Sequence, residues 1–381
     1  MGFDELFGTV RTKPAPKPTP TEPPIDDDSA ATQTAKCASC GANMVYDPVS
    51  RAMKCPYCGT TQAIHAERSE EVDLAKLFAT RVNEWSAETK VFRCVNCGAV
   101  TVIGKTEISK ACAYCGASNI VESAELSGMR PDAVLPFLVS KEDAEQAVSL
   151  WAKKKKFTPN AFKKSVSPES INGHYIPAFT FDSDTVSRYR GTLGEYYYET
   201  RVVNGKEERV RKTRYFHISG NYSKFFDDVL VQASDRVSQA TVSKLSPFDT
   251  GNAQKYTAEF LHGFSATQYV REGGACWGTA KKMMYDVVKR EILARYTYDV
   301  IAEFHMDTQY NNVTYKYLLL PLYIGRFAFK KKLYNFFVNG RNGKVDGSVP
   351  RSPLKILALV AGILAVIAAI VVIYLYTSGG N

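Results

Sequence analysis

The chain has 381 residues, 45% of them hydrophobic and 12% aromatic, with a formal charge of +9. That length accommodates two or three domains and the apolar content supplies at least one sizeable core, so a wholly disordered protein is excluded. The positive excess is compatible with nucleic acid or anionic lipid and selects neither.

The first ten residues, "MGFDELFGTV", lack a charged segment followed by an apolar one, so they are not a secretory signal, and the cysteines are expected to stay in the reducing cytoplasm. Phe3, Leu6 and Phe7 lie at helical spacing beside two acids, a pattern open to reading as a docking motif and taken here as a frayed end. Arg11 to Ala35, "RTKPAPKPTPTEPPIDDDSAATQTA", has too few apolar residues to order itself. Residues 1–35 are therefore expected to be a disordered tether.

Eight of the nine cysteines form four C-x-x-C pairs: Cys37/Cys40 and Cys55/Cys58, then Cys94/Cys97 and Cys112/Cys115. Each cluster has fourteen residues between its pairs, and the second repeats the first at an offset of 57. Two residues between cysteines let a tight knuckle aim both sulfurs at one ion, and a glycine follows each pair (Gly41, Gly59, Gly98, Gly116) where the backbone must turn left-handed. Two tetrahedral four-sulfur sites follow, each closed to further ligands and suited to stapling a small module. The expected cofactors are two zinc ions, with iron in a rubredoxin-like site as the alternative occupant. Two zinc ions on eight thiolates bring the net charge to about +5.

This divides the region into a zinc ribbon at 36–64, a connector at 65–92 and a second ribbon at 93–122. The connector holds "EEVDLAKLFATRVNEWSA", whose Val72, Leu74, Leu77, Phe78, Val82 and Trp85 approach helical spacing, with Trp85 read as packing against a ribbon. The run Gly98 to Thr106, "GAVTVIGKT", resembles a phosphate-binding loop, but five residues rather than four separate Gly98 from Gly104 and Ala99 stands where the motif needs glycine. Gly104-Lys105 is instead expected at the tip of a ribbon hairpin.

Residues 130–350 read as an α+β domain with a largely antiparallel sheet. "SKEDAEQAVSLWAKK" from Ser140 predicts a helix, as does "GTAKKMMYDVVKREILARY" with its stripe Ala280, Met283, Met284, Val287, Val288 and Ile292. "HYIPAFTFD", "TRYFHISG", "YDVIAEFHMDT", "VTYKYLLLPLYIG" and "KLYNFFVNGRNGKV" predict strands, with turns at Asn204-Gly205, Asn339-Gly340 and Asn342-Gly343. Trp151 to Phe157, "WAKKKKF", is a basic run framed by aromatics, read as a solvated helix end or a contact for phosphates of nucleic acid or lipid; "FKKK" at Phe329 is a weaker case.

Cys276 in "GGACWG" is expected to be a small buried residue at a helix start rather than a nucleophile. His174, His217 and His305 fall in predicted strands and read as core or sheet-face residues. No residue is assigned to catalysis, and a non-enzymatic protein is expected.

Finally, Ile356 to Tyr376 is an uncharged apolar run that spans roughly 30 Å as a helix, and 354–376 is expected to cross a membrane. Lys344, Arg351 and Lys355 precede it and only "TSGGN" follows, which places the preceding domains in the cytoplasm.

The two cysteine clusters together with "LPF" at Leu135, "HYIPAFTFD" at His174, "SPFD" at Ser246, "LHGFSA" at Leu261 and "VNGRNGKVDGSVP" before the terminal helix resemble bacterial membrane proteins with TFIIB-type zinc ribbons, often labelled primosomal or helicase-like. The resemblance implies zinc ligation by Cys37, Cys40, Cys55, Cys58, Cys94, Cys97, Cys112 and Cys115. A helicase motor needs a phosphate loop and an acidic magnesium motif, and this sequence carries neither. Some members of that family are linked to membrane-stress assemblies with phage shock protein A-like and flotillin-like partners. The expected function is thus a tail-anchored adaptor that recruits proteins to the cytoplasmic membrane face, with a membrane-tethered nucleic-acid-binding protein as the alternative.

Overall fold

The computed structural model describes residues 36–79, 85, 89–104, 112, 114–115, 117–118, 120–123, 129–164, 170–203, 206–330 and 332–378. The expected tether at 1–35, the Asn204-Gly205 turn, Gly116 and Lys105-Thr106 lie outside these residues. Ala35–Asn381 forms one compact unit.

The first cysteine module is a small antiparallel sheet of β1 (Val45–Asp47), β2 (Ala52–Lys54) and β3 (Thr61–Gln62). Asp47 shapes the β1–β2 turn by accepting from the Ser50 N–H at 3.0 Å and its hydroxyl at 2.7 Å. The connector differs from its expected helix: its described residues form β4 (Val72–Asp73) and a 3₁₀ turn, Leu74–Phe78, whose cap Asp73 accepts from the Ala75 N–H. Tertiary pairing overrides the local periodicity, because β4 adds to a strand more than 200 residues later, with Val72 opposite Tyr315. Trp85 is fully buried in the cluster that holds Met44, Tyr46 and Met53 of the first module, where it packs edge-on against Tyr256 and donates to its hydroxyl at 2.8 Å.

The second module contributes β5 (Thr89–Cys94), β6 (Val100–Gly104) and β7 (Ile120–Ser123). β5 pairs with β6 in a register that sets Arg93 opposite Val100, so the hairpin turns at the Cys94–Cys97 knuckle itself and Gly104 lies at the far end of its strand. Gly104 ends β6, and the rest of the expected tip, from Lys105 on, lies outside the described residues.

The chain continues through β8 (Ala133–Val134), α1 (Lys141–Lys154) and α2 (Asn160–Lys164) into β9 (Ser170–Val203) and β10 (Lys206–Phe226). Then come β11 (Val231–Gln232), α3 (Gln239–Leu245), β12 (Gln254–Lys255), β13 (Ser265–Thr267) and α4 (Gly273–Leu293). β14 (Val300–Phe329), β15 (Lys332–Asn339), β16 (Val345–Gly347) and α5 (Pro353–Ser378) complete it. Ser140 caps α1 by accepting from the Asp143 N–H. The fold is α+β, with a mostly antiparallel sheet of thirteen strands among the described residues, in which β13 runs parallel to β9 and β8 to β14.

β9 and β14 form the spine, paired from Ser170/Arg326 to Gly194/Val300 with irregularities at Ile301/Glu303 and Asn311/Thr314. Before Thr314 β14 alternates between half-buried and exposed residues, whereas Tyr315–Gly325 is buried throughout. The distal half therefore has one face covered, by α4, and the proximal half has both. On β9, Tyr189 and Leu193 point into the α4 cluster with Trp277, Met284 and Ile292, while Arg188 and Arg190 are exposed on the other face. Past Gly194 β14 has ended, and β9 and β10 continue as a two-stranded arm, with Val203 opposite Lys206.

The proximal core holds the first module. Met44, Tyr46, Met53 and Cys55 share one buried cluster with Phe137, Tyr175, Phe260 and Tyr323. Phe137 stacks on Phe264 at 4.3 Å and meets Tyr175 and Tyr323 at 5.0 and 4.8 Å.

At the other extreme is α5. Within it Pro353–Tyr374, 22 residues of mean hydropathy 3.3, is long and apolar enough to cross a membrane, and none of it is buried within the chain.

Candidate metal centres

Each cysteine pair is shaped by its own backbone. In the first knuckle the Cys37 N–H donates to Ala42 O and the Gly41 N–H donates to Cys37 O, both at 2.8 Å. The turn closes only because Gly41 takes φ +72°, a region a side chain disfavours. Gly59 at +77° and Gly98 at +70° repeat the device after Cys58 and Cys97.

These turns bring the eight expected ligands into two groups of four, in each of which all Sγ atoms lie within 4.8 Å of one another. In the first, Cys37 is 3.4 Å from Cys58 and Cys40 is 3.5 Å from Cys55; in the second, Cys94 is 3.5 Å from Cys115 and Cys97 is 3.6 Å from Cys112. A tetrahedral ion with 2.3 Å metal–sulfur bonds needs sulfurs about 3.8 Å apart. The cysteines are free rather than disulfide-bonded, and Cys37, Cys55, Cys94 and Cys112 are buried.

Four thiols this close oppose one another's ionisation. The Thr60 hydroxyl and N–H hold the Cys58 thiol down at about 6. Cys40 is drawn down by the Ala42 N–H, but the sulfurs of Cys55 and Cys58 prevail and push it up to about 12. In the second group Cys115 lies at about 6, against its own burial, through the Ala117 N–H and the Asn96 amide, while burial and its neighbours push Cys97 up to about 12. A divalent cation relieves this repulsion and permits four thiolates, so the donor set fits a soft-ligand metal of the zinc type. The groups could hold two metal ions.

The run Gly98–Gly104 is a knuckle followed by a strand: the Gly98 N–H donates to Cys94 O at 2.9 Å and β6 starts at Val100.

The second group is tied to the sheet through Tyr114, between Cys112 and Cys115. Its hydroxyl bonds Thr267 Oγ1 at 2.5 Å; Thr267 in turn bonds His174 Nε2, and His174 Nδ1 bonds Ser265 Oγ, both at 2.5 Å. Arg326 donates to Cys115 O. Sequence reasoning placed His174 in the core but missed this network, because Tyr114, His174 and Thr267 come from three distant segments. His217 and His305 are exposed on the sheet face.

Burial lowers the His174 pKa from 6.5 to about 3. The folded state keeps the ring neutral while the unfolded chain protonates it below 6.5, so stability is lost as pH falls from 6.5 toward 3. Between pH 6.5 and 5 the loss is roughly 2 kcal/mol. Urea unfolding of the wild type and His174→Gln across that range should show the difference between them shrinking by this amount. The metal ligands are common to both and cancel; a pH-independent difference refutes the assignment.

A third group escaped sequence reasoning. Carboxylates of Glu71, Asp182 and Asp228 converge within 4.8 Å, but Lys316 already serves them, its Nζ 2.6 Å from Glu71 and 3.2 Å from Asp228. Burial pushes Asp182 up to about 6. The only sequence signal was a lysine inside an apolar strand. Cys276 is fully buried in α4, its thiol pushed up to about 11 by burial, and its Sγ donates to Arg271 O at 3.6 Å.

The chain is similar to a protein of Bacillus subtilis (strain 168) named "Uncharacterized protein YdjG", with 27% identity over 334 residues covering 86% of this chain and 93% of that protein. No family model matches the sequence. No solved structure matches it.

Proposed function

We propose that this protein is a membrane-anchored zinc-ribbon adaptor of the TFIIB-type class, held by α5 with its folded unit on the cytoplasmic face, where it recruits protein partners. The observation that carries the reading is α5 itself: an apolar helix of spanning length, unburied, at the end of a unit packed around two four-sulfur groups. Groups of that kind, filled by zinc, have no open coordination position and act as staples.

The arm of β9 and β10 supplies a surface suited to partners. Tyr196, Tyr198 and Tyr215 are exposed on one face, with the guanidinium of Arg211 over Tyr196 at 4.4 Å and that of Arg209 over Tyr198 at 5.2 Å. Tyrosine and arginine of this kind dominate binding energy at protein interfaces, being large, stiff and able to pair carboxylates. The opposite face carries ion pairs of Lys212 with Glu199 and Arg214 with Glu195 beside the exposed Tyr197.

Ending the chain at Pro350 should move it from the membrane to the soluble fraction. In the full-length protein, Tyr198→Ala with Arg211→Glu should reduce co-purifying partners at least about tenfold, as expected for two central interface residues. An unchanged partner list with intact metal content refutes recruitment by the arm, and membrane retention of the shortened chain refutes the anchor.

A further inference from the structure

The lysines near residue 155 and the terminal helix lie about 200 residues apart in sequence and meet in the fold. The Ser352 N–H, one residue before α5, donates to Phe157 O at 2.7 Å. Lys355, in the first turn of α5, donates through Nζ to Thr158 O at 2.8 Å and to Asn160 Oδ1 at 2.7 Å. The end of α1 and the start of α2 are thereby fastened to the foot of α5. Phe162 of α2 then meets Phe327 and Phe329 at 5.2 and 5.4 Å, which brings the β14–β15 turn to the same place.

What these pieces share is charge of one sign. The run Lys153–Lys156 is exposed, Lys164 ends α2, Lys330 and Lys332 flank the strand turn, and all of them face water. Segments 149–164, 327–335 and 348–356 contain no aspartate or glutamate. The acids of α1, Glu142, Asp143 and Glu145, lie in its N-terminal half, at the opposite end from Lys153 and Lys154. Apolar side chains stand among the lysines at the same end: Leu150 is 51% exposed, Phe157 40%, Leu333 60% and Leu354 76%. Such a mixture is unfavourable in water and is stabilised at a headgroup layer, where apolar groups enter the acyl boundary and ammonium groups meet phosphates.

We infer that this lysine collar is a docking surface for anionic lipid headgroups, which seats the folded unit against the membrane that α5 enters. The inference rests on the anchoring reading, since α5 defines the membrane plane. It assigns a role to "WAKKKKF", and it makes the protein's orientation depend on lipid composition. A lysine held near an anionic leaflet strengthens association about fivefold, and the effect decays within a Debye length.

The test uses the full-length wild-type protein in nanodiscs of phosphatidylcholine alone or with one quarter phosphatidylglycerol, treated with an amine-acetylating reagent and read by peptide mass spectrometry. In the anionic discs Lys153, Lys154 and Lys164 should acetylate at least about fivefold more slowly, with the difference lost at about 0.5 M salt. Lys282, exposed on α4 over the distal sheet, should react at one rate in both. Equal rates at the collar in the two discs overturn the inference. Failure of the anchor is read separately, by alkaline extraction of the protein from membranes. If it is extracted, sedimentation with the same two lipid mixtures as vesicles decides: anionic-only binding that Lys153→Gln with Lys154→Gln weakens supports the collar, and equal binding overturns it.

Discussion

On the proposed zinc reading, replacing Cys55 with serine should empty the first four-sulfur group and leave the whole folded unit largely unfolded at room temperature. Cys55 is 1% exposed and belongs to the same buried cluster as Met44, Met53 and Tyr46, which continues into Phe137, Phe260 and Tyr323. A structural zinc site contributes about 10–16 kcal/mol of apparent binding energy in small ribbon-like peptides. A domain's whole stability is about 5–15 kcal/mol. Loss of even half the metal's contribution is therefore comparable to everything that holds the chain folded. The damage would not stay in the first module, because the Tyr46 hydroxyl donates to Phe137 O at 3.0 Å and the Tyr46 N–H donates to His262 O at 3.0 Å. Elemental analysis should fall from two zinc per chain to one or fewer, and the cooperative thermal transition of the wild type should disappear. A variant that keeps two zinc ions, or loses one and still melts as the wild type does, would contradict a stapling role. Cys276→Ser is the matched control, since it alters an equally buried sulfur outside both groups.

The ligand sets were legible because their signal is local. A C-x-x-C-Gly knuckle is fixed by a few backbone hydrogen bonds and one left-handed glycine, all within six residues, so spacing alone specifies which sulfurs converge. The helices α1 and α4 were equally readable from a capping serine and an apolar stripe. The path of the connector was not, because Val72, Leu74 and Leu77 have helical spacing while β4 is held by Tyr315, far along the chain. Likewise the sequence breaks β14 into two strands at residue 313, where alternation gives way to a continuous apolar run. In the structure it is one strand, and the break marks where burial on both faces begins, with Asn312 at φ +49° in the irregularity between them. Periodicity reports how many faces are covered, and a change of period inside a strand looks like a strand end. The buried Lys316 cluster and the His174 network were invisible for the same reason as the connector: their members approach only through long-range pairing. The lysine run at residue 155 was visible as a motif, but its neighbour at the foot of α5 was not.

Phe137→Ala should cost about 4 kcal/mol, the usual range for emptying an aromatic site in a close-packed core. Its ring is fully buried, touches Phe264, Tyr175 and Tyr323, and its own carbonyl receives Tyr46 from the first cysteine module. It is thus the point where that module, β9 and β14 share one contact. At roughly 2–4 °C per kcal/mol the melting temperature should drop by about 10 °C. Because the module docks there, the first metal should also exchange faster to a chelator while the second, fixed through Tyr114 and Arg326, exchanges as before. Gly340 gives an independent handle on the same space, since a Cβ added to it would lie 2.4 Å from the Phe137 ring and 2.9 Å from Pro321 Cβ. Gly340→Ala alone should therefore cost about 1–3 kcal/mol by overpacking. Placed in the Phe137→Ala background, the same methyl enters the vacated volume, so the double variant should be more stable than the sum of the two losses by about 1 kcal/mol or more. Calorimetry of the four proteins measures that coupling. Strict additivity would mean that the ring and the glycine do not share a contact, and the module would then have to be held to the sheet by Tyr46 and Val45 against Phe260 and Gly263 instead.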